Sequence, residues 1–164
     1  SGTTAHLGAE LFKSMAQLQM SGVAYRGEGP ALNDAIAGHV PIIFSSLATG
    51  IPIVQSGHLI VLAVTSKDRI PALANIPTVA EAALPGYVAT AWYALLAPAG
   101  TPQAIVEKLN AAARKAMESP AMKKLLDQAG AITAPTTPRD LGEFIKSEIS
   151  RWKPIIEMSG AKVD

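Results

Sequence analysis

Three short stretches carry residues able to bind or react. Ser1-Gly2-Thr3-Thr4 stands directly before a helical pattern. Two hydroxyls and unpaired backbone N–H groups converge there, at the positive end of the helix dipole, which suits an anion such as a carboxylate. The same residues also read as an ordinary threonine N-cap. Gly27-Glu28-Gly29-Pro30 is a second strand-to-helix loop. Its two glycines let a ligand approach the backbone, or simply permit a tight turn, and Glu28 between them is expected to point to solvent. The third glycine of a dinucleotide fingerprint is missing, and no phosphate-loop Gly-Lys-Ser/Thr occurs. Ser45-Ser46 ends a strand pattern and either faces a ligand crevice or caps the next helix. His6 invites a nucleophilic pairing with Ser45 or Ser46, but the Gly-x-Ser-x-Gly elbow is absent and no acid is paired with the imidazole. A neutral histidine that packs or lends one hydrogen bond suits a first helical turn better, because the dipole there disfavours imidazolium. His39 and His58 fall near turns and are read as solvated. Three dispersed histidines make no metal site, and no cofactor is indicated.

These stretches depend on the elements that hold them. Leu7, Leu11, Met15 and Leu18 share one helical face after Thr3-Thr4. Strand patterns cover Val23–Arg26, Val40–Ser46, Leu59–Thr65 and Thr90–Ala97. The continuous apolar run Leu59–Thr65 suits a parallel strand covered on both faces. Pro30 fits a first helical turn, Gly38 and Gly57 fit helix ends, and a helix is expected from Leu47 to about Gln55. Thr78-Val79-Ala80-Glu81 has capping-box spacing. Thr101-Pro102, Ser119-Pro120 and Thr137-Pro138 each set a capping residue before a proline, so three helices should begin there. The last carries Leu141, Phe144, Ile145, Ile149 and Trp152 on a face read as core, and Pro154 should kink or end it. Alternation of strand and helix through the first ninety residues implies a parallel α/β lobe, whereas the last sixty look like cladding for another sheet.

Composition removes other classes. Hydrophobic residues are 49%, charged residues 16% and the net charge is +1, a balance that folds and gives no case for nucleic acid. There is no cysteine, hence no disulfide or thiolate metal site. The longest apolar stretches are far too short to span a bilayer.

Six collinear segments resemble the substrate-binding receptors of tripartite tricarboxylate transporters, the Bug family. They are Ser1–Leu7, Tyr25–Ala31, Leu62–Ser66, Ile76–Glu81, Ala91–Pro102 and the final helix around Trp152. The resemblance implies an α/β fold of the type II periplasmic-binding-protein kind, with two lobes closing on a ligand. Members of the family are about twice this length. Residues 1–90 would then be the second ligand-binding lobe, and 91–164 a return crossover strand plus C-terminal helices of the first lobe. It implies a periplasmic, non-enzymatic protein that hands a small carboxylate to membrane subunits of the transporter. The positions matching the family's ligand loops are Ser1, Gly2, Thr3, Thr4 and His6, then Gly27, Gly29, Pro30 and Ala31. Ser45 stands where many relatives carry an acid, which points to a plain organic acid over an amino acid. Without the first lobe's other half, the chain is expected to self-associate through apolar faces around Phe144 and Trp152. The alternatives are a ligand-sensing effector domain of a regulator and a serine hydrolase using His6 with Ser45 or Ser46. A regulator expects a helix-turn-helix upstream; a receptor expects an export signal and another lobe.

Overall fold

The computed structural model describes residues 2–161. The chain divides into two compact units: one runs to Ala91 and takes up the chain again at Ile155, and the other is Trp92–Pro154.

In the first unit, helix α1 is Thr4–Ala16, α2 is Glu28–Ile36, α3 is Leu47–Gln55 and α4 is Val79–Ala82, with a 3-10 turn at Pro71–Leu73. Their ends follow local chemistry. Gly38 and Gly57 follow α2 and α3 at φ 78° and 77°, the left-handed conformation that glycine adopts without a Cβ penalty. Thr78 and Glu81 form a reciprocal capping box at the start of α4. The buried residues collect here: Leu32 and Ala35 of α2, with Val64, Ile70, Thr78, Val79, Tyr87 and Ala89. Tyr87, wholly buried, anchors them; its hydroxyl donates to the Gly8 carbonyl of α1 at 3.0 Å. Phe12 of α1 packs edge-on against both Tyr87 and Phe44.

The four expected strands are corrected. Among the described residues no ladder forms, and the β structure is one isolated parallel bridge, Val64 with Thr78. Val64 N–H donates to the Pro77 carbonyl, and Val79 N–H donates to that of Val64, both at 2.9 Å. A strand exists only by pairing, and Val64 finds its partner in the approach to α4 instead of in another apolar run. Nor is Leu59–Thr65 covered on both faces. Ile60 and Leu62 are 86% and 72% exposed, while Leu59, Val61 and Ala63 between them are half-buried and Val64 is buried. The period of two survives, with one face open.

In the second unit, α5 is Gln103–Met117, α6 is Pro120–Gln128, and α7, Pro138–Ser159, continues past the unit boundary. Ser119 caps α6 by accepting from Met122 N–H, and Thr137 accepts from Asp140 N–H at the start of α7. Thr101 does not cap α5. Its hydroxyl donates to the Pro98 carbonyl at 2.8 Å, committed to the turn before the helix, and Pro102 holds the N-cap position without a side-chain bond. Pro154 does not end α7, which runs on to Ser159. A proline removes one ladder bond and crowds one carbonyl a turn earlier, a loss this 22-residue helix spans. The stripe read as core is only partly covered. Leu141, Ile145 and Trp152 are half-buried, whereas Phe144 is 40% and Ile149 64% exposed. Phe144 meets Trp92 edge-on, ring centroids 5.3 Å apart.

Candidate ligand-binding loops

The first loop leads into α1. Ser1 lies outside the described residues. Gly2, at φ 80°, turns its N–H onto Nδ1 of His6 at 3.1 Å, and the Thr3 hydroxyl oxygen accepts from His6 N–H at 3.3 Å. With Nδ1 accepting, Nε2 is the ring nitrogen left to donate. His6 is therefore bound up in the loop itself, and the Gly2 amide is spent on it. Thr3 keeps its own hydroxyl proton to give. Thr4 and Ala5, the first two helical residues, have N–H groups with no acceptor within the helix, and Thr4 adds a second hydroxyl. What remains is a small set of donors at the positive end of a 13-residue helix.

The second loop leads into α2. Gly27 is its N-cap at φ 119°, a conformation that demands glycine. The helix begins at Glu28, so Gly29 is already helical, with Pro30 and Ala31 in the same first turn. A Cβ at Gly27 or Gly29 would meet nothing within 4 Å, so the backbone there is open to an approaching group. Tyr25, just ahead of the loop, donates its hydroxyl to Asp34 of α2 at 2.7 Å. That bond to the carboxylate raises the Tyr25 pKa, and the same bond, with a lesser one from His39, lowers that of Asp34.

Glu28 is half-buried and turned onto Ser45 and Ser46, not pointing freely to solvent as expected. Its carboxylate accepts from the Ser45 hydroxyl and the Ser46 N–H, both at 2.6 Å, and from the Ser46 hydroxyl at 3.1 Å. Thr49, one turn into α3, bonds both serine hydroxyls. Burial opposes the charge, but hydrogen bonds from Ser45, Thr49 and Ser46 outweigh it and hold the Glu28 pKa below its ordinary value. Ser46 is the N-cap of α3, and it is Glu28, from another helix, that takes up its N–H. Ser45 is therefore engaged by Glu28 and not a free donor. Gly50 lets Ser45 sit close, since a Cβ there would stand 3.2 Å from the serine hydroxyl.

The second loop and Ser45 are thus brought together directly. The first loop is tied to them through its scaffold, because Phe12 of α1 packs on Phe44, the residue before Ser45. His6 and Ser45 have separate partners, Gly2 and Glu28, so these two do not form the pair that the hydrolase reading needs. Among the described residues no group of three His, Cys, Asp or Glu could hold a metal ion, and no helix is long and apolar enough to cross a membrane. Reading the sequence missed Glu28. The available signal was the run Ser45-Ser46-x-x-Thr49, three hydroxyls at one helix start, which makes a receptacle for a carboxylate.

Comparison with known proteins identifies the family. Residues 1–161 match the family model of the tripartite tricarboxylate transporter family receptor. The chain is 39% identical over 156 residues to a UPF0065 protein from the tcbD–tcbE intergenic region of Pseudomonas sp. strain P51, covering 94% of this chain and 46% of that one. It is 34% identical to protein BugT of Bordetella pertussis over 99% of this chain and 50% of BugT. The chain therefore spans about half the length of these curated relatives. Among solved structures, Rhodopseudomonas palustris Rpa4515 with adipate superposes at TM-score 0.80, 35% identical, over 97% of this chain and 53% of that one. MatC of the same organism with bound malate gives 0.73 at 30% identity, over 94% and 54%. Periplasmic binding protein BugD gives 0.76 at 25% identity, over 98% and 55%. The fold is the α/β fold of periplasmic binding proteins. The chain belongs to the tripartite tricarboxylate transporter receptor family.

Proposed function

We propose that this chain is part of a periplasmic receptor that captures a small organic carboxylate and delivers it to the membrane subunits of a tripartite tricarboxylate-type transporter. The observation that carries this reading is the pair of helix starts in one unit, each with open backbone donors. Thr3, Thr4 and Ala5 furnish one, and Gly29 in the first turn of α2 the other. Such donors stabilise an anion and supply no nucleophile or general base, in keeping with a family of receptors and not enzymes. The adipate and malate held by two structural neighbours support a carboxylate as the ligand class. Within the reading, residues 1–90 form one ligand-binding lobe, and 91–164 form the crossover and helices that clad the other. Ser1, Gly2 and His6 shape the first loop, Thr3 and Thr4 donate from it, and Gly27, Gly29, Pro30, Ala31 and Ser45 line or hold the second. The half-exposed Phe144 and Trp152 face is where the chain alone would self-associate.

The test is calorimetric titration of the intact receptor with a panel of mono-, di- and tricarboxylates that includes adipate and malate. One or more should bind. Thr3→Val with Thr4→Val should weaken that binding tenfold or more, since a hydrogen bond to a charged group is worth roughly 1.5–3 kcal/mol. Thr3→Ser, which keeps a hydroxyl cap, should not. A folded receptor that binds none of the panel, or a double variant with unchanged affinity, overturns the reading.

A further inference from the structure

We propose that Glu28 is a positioning residue that clasps the second ligand loop to the start of α3, setting the direction in which the first-turn backbone of α2 meets a ligand. The proposal rests on the receptor reading for the role of that loop, but the clasp itself stands on geometry. Glu28 is the first residue of α2, immediately after Gly27, and accepts three hydrogen bonds at 2.6–3.1 Å from Ser45 and Ser46, seventeen and eighteen positions away. On the far side of the same loop, Tyr25 is fastened to Asp34 within α2 at 2.7 Å. The turn between them is thus tied on both flanks. Gly27 needs this, because φ 119° is a soft conformation in glycine and nothing lies within 4 Å of its Cβ position to restrain it by packing. The partners also suit a carboxylate. Ser46 N–H and the Ser45 and Ser46 hydroxyls are all presented as donors, so they match a group that only accepts. A glutamine in place of Glu28 would keep an oxygen for the Ser45 hydroxyl and the Ser46 N–H, would force the Ser46 hydroxyl to turn and accept, and would remove the charge that strengthens all three bonds.

The clasp has a titration signature. The groups facing Glu28 from 45–46 and α3 are Ser45, Ser46 and Thr49, none of which titrates near neutrality. Along its own segment the nearest charged residues are Arg26 and, two turns on, Asp34. Because the carboxyl is held below its ordinary value, the clasp is complete at neutral pH and opens as pH falls through that lowered value.

Amide hydrogen exchange in the intact receptor, normalised to intrinsic rates, tests this. Protection of the Ser46 amide and of residues 27–31 should fall about tenfold or more in Glu28→Ala, and by less in Glu28→Gln, which keeps one accepting oxygen but not the charge. Wild type should lose the protection in a step on acidification, Glu28→Asp should keep part of the protection and the acid step, and Glu28→Gln should lack the step. A role in bulk stability alone would lower protection everywhere and leave the pH profile alike in all variants. Adipate and malate affinity, read in parallel, separates the two proposals. Exchange that responds as stated in a receptor binding neither acid upholds the clasp and counts against the ligand reading. Unchanged Ser46 protection in Glu28→Ala, or an acid step that persists in Glu28→Gln, overturns the clasp even where adipate binds.

Discussion

Gly8→Ala is a substitution on which two physical effects predict opposite signs. Gly8 lies inside α1, so helix propensity alone makes alanine stabilising by about 1 kcal/mol. The packing says otherwise. A Cβ at residue 8 would stand 3.1 Å from the Ala89 Cβ and 3.3 Å from the Tyr87 hydroxyl oxygen. Neither neighbour gives way easily: Tyr87 is wholly buried, and Ala89 is fixed by its N–H bond to the Thr65 carbonyl at 2.8 Å. Overpacking of this kind costs about 1–3 kcal/mol, and two tight contacts place it in the upper part of that range, leaving a net loss of about 1–2 kcal/mol. Tyr87→Phe should cost about 1 kcal/mol, because the Gly8 carbonyl keeps its helix bond and loses only the tyrosine's. In the double variant the missing hydroxyl relieves one of the two close contacts, so the combined loss should fall short of the sum by about 0.5–1 kcal/mol. Urea unfolding of the four proteins measures all three quantities, each kcal/mol moving the midpoint by roughly 0.3–1 M. A stabilised Gly8→Ala, or additivity to within about 0.3 kcal/mol, refutes the reasoning.

Thr78→Ala should cost about 1 kcal/mol in the same assay, since it removes half of the capping box at α4. The Thr78 N–H, and after it Arg69, hold the Glu81 carboxyl below its ordinary value, so the stability it lends is present above that value and lost as pH falls through the lowered one. Glu81→Gln should remove this part of the acid dependence in a stability-versus-pH profile. Gly27→Ala forces alanine to φ 119° and should destabilise the second loop by about 1–3 kcal/mol, whereas Gly29→Ala, helical and unobstructed, should be neutral or stabilising by up to about 1 kcal/mol. If the Gly29 backbone is where the ligand comes close, Gly29→Ala alone should weaken acid binding in calorimetry while leaving thermal stability intact.

What was legible in the sequence was local. The stops at Gly38 and Gly57, the Thr78–Glu81 box and the caps Thr3, Ser119 and Thr137 each depend on residues within about a turn of one another. Thr101 failed for the same reason, since a turn at Pro98 competes for its hydroxyl over equally short range. The strands were recognised by period and not found as ladders, because pairing depends on a second segment that no single run announces. Glu28 was misplaced because its partners lie seventeen and eighteen residues on, and Tyr87 was passed over within a Pro/Ala-rich stretch. The two candidate loops were marked from small residues at helix starts. Their internal economy, with Gly2 given to His6 and Ser45 to Glu28, follows from side-chain geometry that spacing does not encode.

The bond from Tyr87 to Gly8 spans 79 positions, and that separation has a meaning in time. A chain emerging from the ribosome delivers Thr3, Thr4 and the whole of α1 long before Tyr87 and Ala89 exist to seat it. Helix α1 can form by itself in well under a millisecond, but its register and tilt are settled only when the loop of intervening chain closes. The first ligand loop is therefore written early and fixed late. Until Tyr87 closes that loop, α1 is a 13-residue helix with a competent cap, marginal by itself in water and without an address.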